Sequence, residues 1–243
     1  MFFLGTEPAR QPGVAARSQA RLAPLPPAEA EAVFGSALGI AQRYAELLAG
    51  PGVERGLIGP RETARLWDRH LINCAAVAEL VPAGSSLIDL GSGAGLPGVV
   101  LAMLLPDSEV VLLEPLARRV AFLEECVRAL ALGNVAVRRG RAEDVAGQLA
   151  ADVVTARAVA PMERLAALAL GLVRPGGLVL AIKGAVAAQE LQQAAPVLRR
   201  LGVQDAAVVE AGRGKVSPPP TVVRLTAGLG ARHRCSEGQH GAA

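Results

Sequence analysis

The sequence predicts an open α/β fold, a mostly parallel seven-stranded sheet closed by an antiparallel hairpin and preceded by an N-terminal helical cap. Three observations carry this. From residue 86 onward, short apolar runs alternate with stretches of helical spacing, the pattern of parallel strands joined by right-handed crossovers. Glycines at alternate positions, Gly91, Gly93 and Gly95, join the first strand to the first crossover helix. The last two strands have no helix between them and read as a hairpin.

Taken in order, residues 1–28 mix Pro, Ala, Gly and Arg without apolar periodicity and are expected to stay unstructured. Residues 29–82 form the cap. Within it, Val33, Phe34, Ala37, Ile40, Ala41, Tyr44, Leu47 and Leu48 recur at helical spacing over 29–49, and Gly50-Pro51-Gly52 ends the run. A second helix is predicted over 61–81, with Leu66, Trp67, Leu71, Cys74, Val77, Ala78 and Val81 inward. The sheet domain spans 83–227. Its strands are predicted at 87–90, 110–113, 135–138, 152–155, 178–183, 203–210 and 221–226, and its helices at 97–105, 116–132, 162–173 and 187–201. Gly133 is read as the C′ glycine that stops the second of these helices, and 212–220 as the hairpin loop. Residues 228–243 read as a disordered tail.

Composition narrows the function. The chain has 243 residues, 51% of them hydrophobic, enough for one sizeable core. Its longest apolar stretch, 96–113, is broken by Pro97, Pro106, Asp107 and Glu109, so no membrane span is expected, and the N-terminus lacks the pattern of a secretory signal. Cys74, Cys126 and Cys235 have neither disulfide-framework nor metal-ligand spacing, which points to a reducing cytoplasm and no metal. The net charge of +3 is a mild signal. Only Lys183 and Lys215 are lysines; this arginine bias accompanies abundant Ala, Gly, Val and Pro, as a G- and C-rich genome produces, and is not itself a phosphate signature. With aromatics at 2%, a single-strand binder built on base stacking is not expected.

The chemistry gathers at the ends of successive strands. Ligands of open α/β sheets bind outside the carboxyl edge, where strand order reverses. Asp89, Glu114, Glu143 and Arg157 each lie at or just after such an end. Glycine in the turn tolerates positive φ and lets a ligand approach the backbone. An acid about twenty residues downstream, Glu114, is where a nucleoside site holds its ribose hydroxyls. The turn Gly91-Ser92-Gly93-Ala94-Gly95 lacks the GxGxxG cradle of a pyrophosphate, and Asp89 stands two residues before it. That combination suits the ammonium and sulfonium charges of S-adenosylmethionine better than a nicotinamide dinucleotide. Asp89 has a second reading as a cap for the turn.

The segments SLIDLGSGAGLPG, VLLEPLARRVAFLEE, RGRAEDV, TARAVAP, RPGGLVLAIKG and RLWDRHLINC together closely resemble the ribosomal RNA small subunit methyltransferase G family, also called GidB-type, over residues 30–226. The resemblance implies a Rossmann-like S-adenosylmethionine-dependent methyltransferase acting on N7 of a guanine in the 530 loop of 16S ribosomal RNA. It implies that Gly91 and Leu96 contact the cofactor, that Ala142 and Glu143 flank its adenine, and that Arg157 lies at the far side of its pocket. Gly93, Gly95, Asp89 and Glu114 complete the expected cofactor set. The chain departs from the family where many members carry a Trp-Asn pair and an Asn-Leu-Thr element; here the sequence reads Ala49-Gly50-Pro51-Gly52 and Arg55-Gly56-Leu57-Ile58. A basic C-terminal segment is reduced to Arg232, His233 and Arg234.

Guanine N7 has an exposed lone pair and no proton, so no general base is expected. Arg69, His70, Lys183 and Arg157 are the candidates for the RNA side, with packing or snorkelling as the alternative for His70 and Lys183. The expected partner is 16S ribosomal RNA or a 30S particle, with neither membrane nor DNA. A small-molecule methyltransferase and a non-catalytic nucleotide-binding module remain alternatives on the same fold.

Overall fold

In the computed structural model, residues 23–229 are described, and the seven expected strands form one sheet in the order β3-β2-β1-β4-β5-β7-β6. The strands are β1 (Leu87–Leu90), β2 (Val110–Glu114), β3 (Val135–Arg139), β4 (Ala151–Arg157), β5 (Val173–Lys183), β6 (Val203–Glu210) and β7 (Thr221–Ala227). Pairing is parallel from β3 through β5. Strand β7 then enters antiparallel between β5 and β6, which closes the sheet with the expected hairpin. Every residue of β1 is buried, as a central parallel strand covered on both faces must be, whereas the edge strand β6 is half exposed along its length.

Successive side chains on each strand point to opposite faces, and two apolar layers result. Leu87, Val110, Leu112, Val153 and Leu180 face helices α4 (Gly98–Leu104) and α5 (Ala117–Ala129) together with the cap. Ile88, Leu90, Leu113, Val154 and Val179 face α7 (Met162–Leu170) and α8 (Ala187–Arg200). The short α6 (Ala142–Val145), in the RAEDV segment, packs Ala142 into the second layer; its four residues give too little periodicity to be read in advance.

The cap is more segmented than periodicity suggests. The expected helix 29–49 divides into α1 (Ala28–Phe34) and α2 (Leu38–Leu47) because Gly35 takes φ +49 and ends the first piece. Its end widens into a π-type turn, Leu48–Gly52, around Pro51, which has no N–H to give an α-helical bond. The expected helix 61–81 becomes a tight turn, a wide π-type turn over Leu66–Leu71, the short α3 (Ile72–Ala76) and a second tight turn, Val77–Leu80. Such widened turns recur where a helix bends to serve a site, and His70 lies in this one. The stop of α5 also differs. Ala131, at φ +53, takes the left-handed position assigned to Gly133; Ala131 N–H donates to Arg128 O and Leu132 N–H to Val127 O, the paired bonds of a Schellman cap. Strand β5 begins early, at Val173, and passes through Arg174-Pro175-Gly176-Gly177 with a register shift before 178.

The cap and the sheet share one core: Tyr44, Leu48, Leu66 and Trp67 belong to the same buried cluster as Val99, Leu101, Phe122 and Leu123. Phe34 meets Trp67 edge-on at 6.0 Å. The Trp67 indole N–H donates to Pro24 O at 2.8 Å, so the part of the N-terminal segment that is described, 23–27, is fastened to the cap instead of loose. The rest of the predicted disordered ends, 1–22 and 230–243, lies outside the described residues, as does Cys235. Glu79 Oε1 accepts from Gly212 N–H at 2.6 Å, joining the cap to the hairpin loop. Among the described residues no helix is long and apolar enough to cross a membrane.

The deepest link is Tyr44. Fully buried on α2, it donates its hydroxyl to Ala94 O at 2.6 Å, inside the glycine turn. Its phenol is pushed well above its ordinary pKa by burial, so it stays a donor. Tyr44→Phe leaves Ala94 O without its partner and should cost about 1–3 kcal/mol in urea unfolding. Because the turn itself loosens, affinity for the turn's ligand should fall as well.

Candidate active site

The chain leaves β1 toward β2 and β3 on one side, then returns to place β4 on the other side of β1. The switch point is therefore the crevice above the carboxyl ends of β1 and β4. Every predicted strand-end residue lies along this edge.

The glycine turn lines its floor. Gly91, Gly93 and Gly95 have φ of +69, +58 and +100. At Gly95 the need is also spatial, since a Cβ would stand 2.7 Å from the Tyr44 hydroxyl. A Cβ on Gly93 would meet nothing closer than Gly91 O at 3.8 Å, an ordinary contact, so the turn is uncrowded there and a ligand can come close to the backbone. Gly91 and Ser92 N–H donate to Leu113 O, tying the turn to β2.

Two buried carboxylates hold the amides that remain. Asp89, 1% exposed, accepts from Gly98 N–H at 3.1 Å, at the start of α4, and from Thr155 Oγ1 at 3.3 Å on the paired position of β4. Burial raises its carboxyl to about 6 against these hydrogen bonds. Asp89 is thus a cap for the turn, as its second reading has it. Glu114, also 1% exposed, ends β2 and accepts from Gly93 N–H and Leu116 N–H, each at 3.0 Å, one on each oxygen. Arg119 Nη1 is 3.6 Å away. A carboxylate offers about four lone-pair sites, so Glu114 keeps capacity for the hydroxyls of a ribose at the turn.

Beyond β3, Ala142 is buried at the start of α6 and Glu143 is exposed beside it. Leu96 closes the turn, 9% exposed. On the opposite side, Arg157 ends β4 half-buried. It donates through Nη2 to His70 Nδ1 in a short contact and through Nη1 to Cys74 Sγ at 3.5 Å. His70 Nε2 in turn meets Glu62 Oε2 at 2.9 Å. An arginine only donates and a carboxylate only accepts, so these bonds together require a neutral imidazole with its proton on Nε2. Burial and the Arg157 charge keep the His70 pKa below its ordinary value, against the pull of Glu62. Burial pushes the Cys74 thiol up to about 11.

Of the candidates Arg69, His70 and Lys183, two are committed to protein partners. His70, considered for the RNA side, is 7% exposed and turned inward, with both nitrogens engaged. Lys183 is equally committed: Nζ donates to Ala160 O at 2.9 Å and pairs with Glu190 at 2.7 Å, fixing the loop after β4 to α8. Arg69 remains outward, its side chain 50% exposed and 3.4 Å from Glu62. Sequence reasoning missed Glu62 and the hydroxyl partner of Tyr44. Glu62 sits eight residues before His70, a spacing with no motif behind it.

The sequence profile of the GidB family, described as rRNA small subunit methyltransferase G, matches residues 38–217. The chain belongs to this family. Its similarity to other members runs through the sheet and cap alike: it is 59% identical over 202 residues to ribosomal RNA small subunit methyltransferase G of Thermobifida fusca, covering 83% of this chain and 85% of that one. The Streptomyces avermitilis protein of the same name is 54% identical over 209 residues, 85% and 88% of the two chains. Among solved structures, a SAM-dependent methyltransferase from Aquifex aeolicus superposes with a TM-score of 0.51 at 16% identity, over 72% of this chain and 97% of that one. A SAM-dependent O-methyltransferase from Thermotoga maritima gives 0.52 at 16% identity, over 64% of each. These two support the fold, which is that of Rossmann-like methyltransferases.

The cofactor of this methyltransferase G family member is S-adenosylmethionine, and the residues at the crevice fit it. Gly93 leaves the backbone open, Glu114 retains acceptors for a ribose diol, and the shortage of side chains at 91–95 leaves room for a nucleoside.

Glu114→Ala should raise the dissociation constant for S-adenosylmethionine about tenfold or more in calorimetric titration, since it removes the anchor of Gly93 together with the acceptor capacity expected to serve a ribose. Affinity for ribosomal RNA should be unchanged. Asp89 makes a second outcome checkable. Its folded pKa, about 6, lies above the ordinary 3.8, so the proton-linked stability it contributes is complete below 3.8 and is lost as pH rises through 6. In urea unfolding across pH 4–7, Asp89→Asn should therefore flatten the profile, by up to about 3 kcal/mol over that window.

Proposed function

We propose that the chain transfers the methyl group of S-adenosylmethionine to N7 of a guanine in the 530 loop of 16S ribosomal RNA, in the cytoplasm. The observation that carries this reading is the state of the titratable groups facing the crevice at the ends of β1, β4 and β5. Asp89 caps α4, His70 is held neutral between Glu62 and Arg157, and Lys183 is tied to Ala160 and Glu190. None of these three is free to take a proton from a substrate, and N7 has none to give. Methylation of a hydroxyl or an exocyclic amine would call for such a base.

The cofactor, when bound, supplies an electrophilic methyl on a sulfonium. In the proposed arrangement Gly91, Gly93, Gly95 and Leu96 receive it at the turn, with Glu114 at the ribose, Ala142 and Glu143 at the adenine and Arg157 at the methionine end. What the protein adds is alignment. Holding methyl and nucleophile within reach can lower a barrier by as much as about 7–11 kcal/mol without any proton transfer. The positive charge passes from sulfur to the purine, and the buried carboxylates of Asp89 and Glu114 favour a cation on either.

For the RNA, Arg69 and the exposed arginines at the carboxyl edge beyond β2, namely Arg118, Arg138, Arg139 and Arg141, form a basic rim suited to phosphates. The rim favours a folded RNA or a 30S particle over a small substrate enclosed in an apolar pocket.

Incubation of under-methylated 30S particles, or of 16S RNA stripped of protein, with methyl-labelled S-adenosylmethionine should place label in 7-methylguanosine on nucleoside digestion. Label in any other nucleoside, or none with either RNA form, would overturn the proposed target.

A further inference from the structure

Besides Tyr44, the cap reaches the crevice through the chain of contacts from Glu62 through His70 to Arg157. We propose that Glu62 and His70 are positioning residues that set the guanidinium of Arg157 for the carboxylate at the methionine end of the cofactor. This rests on the placement of Arg157 proposed above.

A half-buried arginine at a strand end has a long side chain and several rotamers of similar energy, so something must select one. His70 Nδ1 and Cys74 Sγ take one donor on each terminal nitrogen of Arg157. A guanidinium carries five N–H donors, so three remain for a ligand. The choice of acceptor matters. A carboxylate at position 70 would neutralise Arg157 and compete with an anionic ligand. A neutral imidazole orients the guanidinium and leaves its charge intact.

Imidazole accepts at Nδ1 only while its proton sits on Nε2, and Glu62 Oε2 enforces that tautomer from 2.9 Å. The charged neighbours agree with a neutral ring: Arg157 from β4 and Arg69 from the same turn oppose its protonation, Glu62 alone favours it, and the Cys74 thiol on α3 stays protonated. This accounts for a histidine buried in a widened turn of the cap, on the side facing the end of β4. It also gives Glu62, half-exposed in a connecting turn, a reason to fold back over eight residues.

The test is a double-mutant cycle on the full chain, read as the dissociation constant for S-adenosylmethionine by calorimetric titration, with thermal melting in parallel. His70→Leu fills the volume but cannot accept, and should weaken binding about tenfold. His70→Gln can accept from Arg157 through its oxygen and donate to Glu62 through its nitrogen, and should stay within about threefold of wild type. In an Arg157→Ala background, His70→Leu should cost nothing further, because the group it orients is gone. A packing role predicts the opposite order for Leu and Gln and equal losses in both backgrounds; either result overturns the proposal. Should His70→Leu fail to fold, Glu62→Ala runs the same cycle, with a loss of about threefold expected in wild type and none beside Arg157→Ala. If Arg157→Ala itself binds the cofactor like wild type, the positioning proposal falls together with the placement of Arg157. If only the coupling is absent, that placement stands.

Discussion

Two amides in the turn after β1, those of Gly93 and Gly98, are answered by side-chain carboxylates, and the site depends on how this is done. A backbone bent through three left-handed glycines turns those N–H groups away from the sheet ladder, and buried donors left alone are costly. Glu114 and Asp89 answer them from the ends of neighbouring strands. Each carboxylate is itself almost wholly buried, so turn and acids stabilise one another. Removing either acid would release the bend, and straightening the bend would strand two charges in the core. The cofactor crevice is thus fixed before any ligand arrives, which is the condition for catalysis by alignment.

The cap extends the same logic. Its helices share the apolar layer of α4 and α5, but hydrophobic packing is tolerant of small slides and does not by itself fix an ångström-scale geometry. Polar contacts do. Tyr44 fastens α2 to the glycine turn, Glu79 fastens the end of the cap to the hairpin loop, and His70 meets β4. Three points on three parts of the sheet domain define an orientation, and two of them lie at the crevice. The cap is therefore part of the frame of the crevice, although its residues precede the sheet in the chain.

Much of this was legible in the sequence. The strand positions, the closing hairpin, the glycine turn and Glu114 all follow from local pattern: alternation of apolar runs, residues that tolerate positive φ, and one spacing; the order of the strands in the sheet does not. What pattern could not convey is what each polar side chain meets across the fold. Asp89 reads both as a cofactor residue and as a cap, and the partner that makes it a cap, Gly98 N–H at 3.1 Å, lies nine residues on, where no local pattern points to it. Lys183 ends a strand, as a phosphate-binding lysine would, yet its partners Ala160 and Glu190 belong to other elements. Tyr44 falls on the apolar face by spacing, and nothing local indicates that its hydroxyl meets a carbonyl 50 residues away. The helix of residues 61–81 reads as regular because its apolar spacing is; the widening at Leu66–Leu71, where His70 meets Arg157 of β4, leaves no mark in that spacing.

The charges at the crevice follow one rule: those that would compete with the ligand are either neutral or bonded into the backbone. Burial brings Asp89 to about 6 and holds His70 neutral. Glu114 is ringed by amides, and Lys183 by a carbonyl and Glu190. Arg157 is the exception, a cation whose protein partners, His70 and Cys74, are both uncharged. In a low-dielectric crevice an arginine oriented without being neutralised keeps most of its pull for an incoming anion. A frame of that kind is suited to a donor that carries a carboxylate at one end and a sulfonium in the middle. In the proposed arrangement Arg157 draws the first, Asp89 and Glu114 lie near the second, and no proton is asked of the nucleophile.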